Sequence, residues 1–259
     1  MRLYRRSFPR GEQQTASTFV DSFWQNLRQS PFANYHFVVE YKRTPEGKPK
    51  LIGFSTMHVT RARRSSNKPR IALSEYLAIA PKFRRKGAMS ALLNKRIEIA
   101  RQQGAEWMIG EKEPWESEHK ERLQTLSRRN RLSPNQKSEL DELKMRQARM
   151  RIFSQWYKHI SGINYADPSA GITFPSRDRM AYGKWDRKSA NPLWLFARNL
   201  HSRTPSELPH KNVKGILNAI YRIHWMNPRD HNELMQRSLP ETEKFRMVDP
   251  KIYLRRKNR

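Results

Sequence analysis

The stretch LAIAPKFRRKGAMSALL, residues 77–93, constrains what this chain can fold into more than any other. Leu77, Ala78 and Ile79 suit a buried strand that stops at Pro81. Beyond the turn, Ala91, Leu92, Leu93, Arg96, Ile97 and Ala100 recur at helical spacing. Between them lies Lys82-Phe83-Arg84-Arg85-Lys86-Gly87. A short strand-to-helix turn with a glycine leaves backbone N–H groups unpaired at the helix start. Those groups, with the helix dipole, favour an anion such as a phosphate.

The flanking sequence supplies a sheet for this turn. YHFVVEYK at 35–42 and KLIGFSTMHVTR at 50–61 read as paired strands joined through Thr44-Pro45-Glu46-Gly47, and IALSEYLAIA at 71–80 continues the meander. The helix predicted over 87–103 is closed by Gly104, and AEWMIGEKE at 105–113 reads as a strand, so strand–helix–strand implies a parallel pair. Upstream, Phe19, Phe23, Trp24 and Leu27 share a helical face within residues 15–29. Downstream, residues 114–150 are polar and rich in helix formers, with Ser133-Pro134 as a helix start. The apolar face resumes in RIFSQWYKHIS at 151–161, and short strand-like pieces follow at 163–166, 171–174 and 180–185. From about residue 188, prolines at 192, 205, 209, 228, 240 and 250 punctuate short pieces read as helical, of which NPLWLFARNLH and VKGILNAIYRIHWM are the best formed.

Composition narrows the partners. The net charge of +28 over 259 residues predicts attraction to a polyanion, either nucleic acid or an acidic protein. Arg61, Arg63 and Arg64 in an acid-free connector, and Arg128, Arg129 and Arg131 further on, are the candidate phosphate contacts. Trp194, Phe196, Tyr221 and Trp225 read as core or as base-stacking side chains. The chain has no cysteine, hence no thiolate metal site and no thiol nucleophile. His201, His210, His224 and His231 lack the spacing of a helical zinc site, and no metal is expected. No apolar run is long enough to span a membrane, so a cytoplasmic protein without membrane contact is expected.

The order of elements around FRRKGAMSALL resembles the GCN5-related N-acetyltransferase (GNAT) family. Its central motif, an Arg or Gln, two residues, Gly, one residue, then Gly or Ala, is matched by Arg84-Arg85-Lys86-Gly87-Ala88-Met89, with Met89 standing where the family usually has a small residue. The resemblance implies an α/β fold of the mixed-sheet kind over residues 1–187, with a helical insertion at 114–150 and a basic helical extension at 188–259. It implies a bound acetyl-CoA or another acyl-CoA, contacted through Leu77, Ile79, Arg84, Arg85, Lys86, Gly87, Ala88, Met89 and Ser90. Trp156-Tyr157 ahead of Gly162 is similar to the aromatic-Tyr pair of the family, which implies that Tyr157 protonates the leaving thiol; a core aromatic is the other reading. Glu75, an acid in an apolar strand, is the candidate base or an ion-pair partner of an arginine.

The expected activity is therefore acyl transfer from coenzyme A to an amine on a DNA, an RNA or an associated acceptor. Two other readings remain open: an acyltransferase acting with an acidic carrier protein, and a nucleic-acid-binding protein that keeps the fold without the chemistry.

Overall fold

The computed structural model describes residues 33–60, 69–112, 114–163, 165, 193–223 and 228–254, with isolated pieces at 3, 172–173 and 184–185. The expected helix at 15–29 and the connector arginines 61, 63 and 64 lie outside the described residues, as does Trp225.

Three antiparallel strands open the fold: β1 (Ala33–Arg43), β2 (Pro49–Thr60) and β3 (Ile71–Ile79). A 3-10 turn at Pro81–Phe83 leads into α1 (Ala88–Gln102), which returns the chain to β4 (Trp107–Lys112), parallel to β3. Gly104, at φ +70°, supplies the left-handed residue that ends the helix. The meander, the crossover helix and the parallel pair follow the order expected from the sequence.

Residues 114–150 form the expected helical hairpin, α2 (Ser117–Ser127) and α3 (Pro134–Trp156), but α3 runs on unbroken through the apolar segment. Its start is fixed by a capping box: Gln136 N donates to Ser133 Oγ at 3.3 Å and Ser133 N donates to Gln136 Oε1 at 3.1 Å. Such a cap contributes about 1 kcal/mol. Pro134 costs nothing at the first helical position, where an N–H has no partner anyway.

The chain then forms β5 (Lys158–Ile160), the small β6 (Ile172–Thr173) and β7 (Lys184–Trp185) pair, β8 (Trp194–Asn199), β9 (Glu207–Pro209), α4 (His210–Ile223), α5 (Pro228–Ser238), β10 (Lys244–Val248) and α6 (Lys251–Leu254). The main sheet has eight strands in the order β1-β2-β3-β4-β8-β5-β10-β9. Two expectations change here. NPLWLFARNLH is a strand, not a helix, because both its faces are buried: Phe196 packs with the α1 and α3 side, Leu195 and Ala197 with the α4 side. A continuous apolar run buried on both faces carries no period to tell strand from helix. The division at residue 187/188 is also not one the sheet respects, since β8 lies between β4 and β5, and β10 pairs with β5.

The sheet is covered on both faces. Met57, Val59, Ala72 and Met108 pack with Ile97 and Ala100 of α1 and with Leu126, Leu140, Leu143 and Met150 of α2 and α3. Ile71, Leu73, Trp107 and Ile109 pack on the other face with Val213, Ile216, Leu217, Ile220 and Leu234 of α4 and α5. Phe196 and Tyr221 are fully buried and Trp194 stacks on His159, so these aromatics are core side chains rather than base-stacking ones. Among the described residues no helix is long and apolar enough to cross a membrane.

Candidate active site

The parallel pair β3 and β4 is hydrogen-bonded only at its start. Ile71, Ala72, Leu73 and Ser74 face Trp107, Met108, Ile109 and Gly110, and there the register stops, although β3 continues to Ile79 and β4 to Lys112. The two strands therefore part beyond Ser74 and Gly110. Beyond Ser74 β3 has no ladder with β4 among the described residues, which leaves main-chain groups around Leu77 available to an extended ligand.

At the same level β3 carries a bulge. Ser55 pairs with Leu77 and Met57 with Ser74, so two β3 residues, Glu75 and Tyr76, oppose the single Thr56. Tyr76 N donates to Thr56 Oγ1 at 3.1 Å, and Thr56 Oγ1 donates to Glu75 Oε2 at 3.3 Å. The extra residue restarts the alternation. Leu77 and Ile79 turn to the α1 face, while Glu75 stays on the opposite face beside His58, its Oε1 3.1 Å from His58 Nε2. Tyr35 lies against the His58 ring at 4.7 Å between centroids, and burial, with the Glu75 charge, pushes its phenol well above the usual range. Glu75 is thus a carboxylate held by two strands beside the gap, with His58 as a partner.

The far end of β3 enters the phosphate turn. Ala80 N donates to Ile52 O, Phe83 N to Ala80 O and Arg84 N to Pro81 O, which fixes the path of the chain into the turn. Arg85 (φ +61°) and Gly87 (φ +84°) are both left-handed, and Gly87 is the N-cap of α1 with no side-chain cap. The first intrahelical acceptor is Gly87 O, bonded by Ala91 N at 3.0 Å, so the amides of Ala88, Met89 and Ser90 have no helical partner. A Cβ built on Gly87 meets nothing within 4 Å, so the space above the helix start is open. Arg84, Arg85 and Lys86 are exposed around it. Lys50, close beside Lys82, holds the Lys82 ammonium below its ordinary value, and the charge of Lys86 adds to this. Crowded cations around an uncapped helix N-terminus fit a pyrophosphate. Met89 packs against the cluster of Ile52, Ile79, Ala88 and Leu92.

Tyr157 is not on a helix but is the C-terminal cap of α3, where its N–H donates to Phe153 O at 2.9 Å and the chain turns into β5. Its ring is buried, stacked on Phe153 at 5.2 Å, on the α1 face of the sheet. Gly110 makes room for this stack, since a Cβ there would lie 2.7 Å from Phe153 Cε1. Arg96, on the buried face of α1, feels the charges of both Tyr157 and Glu75, which stand on opposite faces of the sheet. Glu75, Leu77 and Ile79 lie along β3 and lead into the Arg84–Ser90 turn, and Tyr157 stacks on Phe153 beside Gly110 of β4, whereas Arg128, Arg129 and Arg131 are exposed in the α2–α3 connection.

Sequence reasoning singled out neither His58 nor Thr56 nor Tyr35. Their signal was present: Thr56, His58 and Thr60 alternate inside an apolar strand, which puts polar groups on one buried face. Arg96 appeared only as part of a helical face, although a charge on the apolar side of a helix is itself a signal.

Residues 1–114 match the model of the acetyltransferase (GNAT) family. No curated protein matches the chain. Similar solved structures include a protein from Desulfovibrio desulfuricans assigned to the GNAT acetyltransferases, at 12% identity over 76% of this chain and 86% of that one, TM-score 0.38. An aminoglycoside 6'-N-acetyltransferase complexed with coenzyme A aligns at 10% identity over 79% and 90%, TM-score 0.37. The ribosomal-protein-S18-alanine N-acetyltransferase from Escherichia coli aligns at 13% identity over 78% and 86%, TM-score 0.34.

Proposed function

We propose that this protein is an acyl-CoA-dependent N-acyltransferase whose acceptor amine belongs to a nucleic acid or to a molecule bound to one. The observation that carries the reaction is the parting of β3 and β4 beyond Ser74 and Gly110, with an uncapped, glycine-headed helix start at the far end of β3. The turn Arg84–Ser90 would hold the pyrophosphate through its amides, and the edge of β3 around Leu77 would line the extended arm. Coenzyme A, when bound, would supply an acyl thioester at the point where the strands part.

Glu75 accepts a proton from the acceptor nitrogen as the N–C bond forms, and His58, 3.1 Å away, keeps the carboxylate aimed and shares its charge. Tyr157 gives its hydroxyl proton to the sulfur as the C–S bond breaks. The two groups stand on opposite faces of the sheet, which separates the acid from the base across the reacting carbon.

The nucleic-acid acceptor is supported by the +28 charge and by a basic cleft. Arg101, Arg198 and Arg203 line a depression of about 350 Å³ together with Gln155, Trp156 and Thr204, and no Asp or Glu enters its wall. Arg198 lies over the Trp156 ring at 5.2 Å, and Trp156 immediately precedes Tyr157. The cleft sits at the Trp107–Asn199 end of β4, about 10 Å along the strand from the point of parting. Basic side chains there would neutralise phosphates and position the target without reading its sequence. The test is thiol release from acetyl-CoA in the presence of DNA, RNA or neither. Acyl transfer that needs a nucleic acid and drops about 100-fold or more in Tyr157→Phe supports the reading. Thiol release unaffected by any nucleic acid would remove the acceptor from it.

A further inference from the structure

Arg96 is a buried cation whose strongest electrostatic neighbour is Tyr157, ahead of Glu75. It is 1% exposed, and its Nε and Nη2 are buried with no hydrogen-bond partner among the described residues. Burial is the main influence on the guanidinium and works against its charge. Evolution rarely keeps such a group unless something meets it, because unmet buried donors and an unpaired buried cation both cost stability. The carboxylate that acts on it, Glu75, is turned to His58 and Thr56 on the other face of the sheet. Leu92, Leu93, Ile97 and Ala100, its neighbours on α1, are all apolar.

Its depth is informative. Helix rise puts Arg96 about 13 Å along α1 from Gly87. Strand rise puts the parting of β3 and β4 at Ser74 roughly 16 Å back from Ile79, beside the same turn. A ligand anchored on the turn and threaded along β3 therefore presents its far end at the level of Arg96 and Tyr157. Ser55, on the α1 face of β2, adds a second buried side chain there, and its Oγ also has no hydrogen-bond partner. A neutral acetyl group would leave the cation uncompensated. A second carboxylate at the end of the acyl chain would meet both its charge and its two free donors.

We propose that Arg96 selects the acyl donor, and that the donor is the coenzyme A thioester of a dicarboxylic acid, such as a malonyl or succinyl group, rather than acetyl-CoA. This rests on the acyltransferase reading above and deepens it. The experiment is calorimetric titration of the full-length protein with acetyl-CoA, malonyl-CoA and succinyl-CoA. At least one acidic thioester is expected to bind 10-fold or more tighter than acetyl-CoA. In Arg96→Met that advantage disappears while acetyl-CoA affinity stays within about twofold, and Arg96→Lys keeps part of it. Equal affinity for all three thioesters in the wild-type protein overturns the inference alone, and this comparison does not depend on any variant folding. Failure to bind any of the three overturns it together with the acyltransferase reading.

Discussion

Glu75 Oε1 lies 3.1 Å from His58 Nε2, and the bulge that sets two β3 residues against Thr56 is what brings them together. Without the bulge, regular alternation beyond Glu75 would turn Leu77 and Ile79 away from α1. The same irregularity that re-aims the strand toward the phosphate turn thus leaves its carboxylate on the acceptor side.

Glu75→Gln keeps the shape and the Thr56 contact but cannot take a proton. Its kcat/KM is expected to fall by about 10²–10⁴-fold with coenzyme A affinity nearly unchanged. His58→Gln, which acts through Glu75, is expected to lose less and to change the pH profile of kcat. Stopped-time thiol release across pH 5–9 checks both, and a Glu75→Gln enzyme within threefold of wild type would remove the residue from the chemistry.

Gly110 is a strand glycine with a packing reason. In Gly110→Ala the new methyl would press on Phe153 Cε1, whose ring stacks on Tyr157. Overpacking of this kind costs about 1–3 kcal/mol. Denaturant unfolding should show that loss, accompanied by a drop in kcat as the Tyr157 ring shifts. An active variant of unchanged stability would mean that the stack moves freely.

Much of this architecture was legible in the sequence because it is local. The meander, the crossover helix, the parallel strand and the Ser133 cap each follow from periodicity or from one capping residue. What was hidden depends on tertiary placement. β8 is buried on both faces and so shows no period, and its insertion between β4 and β5 joins segments far apart in the chain. The bulge at Glu75 and Tyr76 cannot be read from β3 alone, since it exists only against Thr56. Glu75 could be suspected as an acid among apolar residues, but its partner His58 is visible only once the register is known.

His159 gives the fold a pH dependence of its own. Burial holds its imidazole down at about 4, with the ring stacked on Trp194 and Nδ1 2.7 Å from the Tyr253 hydroxyl. The ordinary value is about 6.5, so between roughly pH 6.5 and 4 the unfolded chain binds the extra proton and stability falls as pH falls. The group accounts for about 3 kcal/mol across that window. Thermal unfolding at pH 7.5 and 4.5 should show a smaller difference in His159→Phe than in the wild type. An equal difference would place the acid sensitivity elsewhere.

Binding to nucleic acid should weaken steeply with salt. For a duplex, each phosphate neutralised contributes about 0.9 to the slope of log K against log salt. Replacing Arg101, Arg198 and Arg203 together by alanine is expected to reduce that slope by up to about 3, with little change in sequence preference. Fluorescence anisotropy with a labelled duplex from 50 to 300 mM salt measures it, and an unchanged slope would move the contact surface away from this cleft.

The most direct measurement is calorimetric titration of coenzyme A into the purified protein, with Gly87→Ala and Gly87→Glu beside it. The account expects micromolar binding, about −8 kcal/mol. Gly87→Ala should keep much of it at a cost of about 1 kcal/mol in stability, since the position is left-handed but open. Gly87→Glu should abolish it, by placing a carboxylate where the pyrophosphate sits. A folded wild-type protein that takes up no coenzyme A, or a Gly87→Glu variant that binds it equally well, would contradict the account.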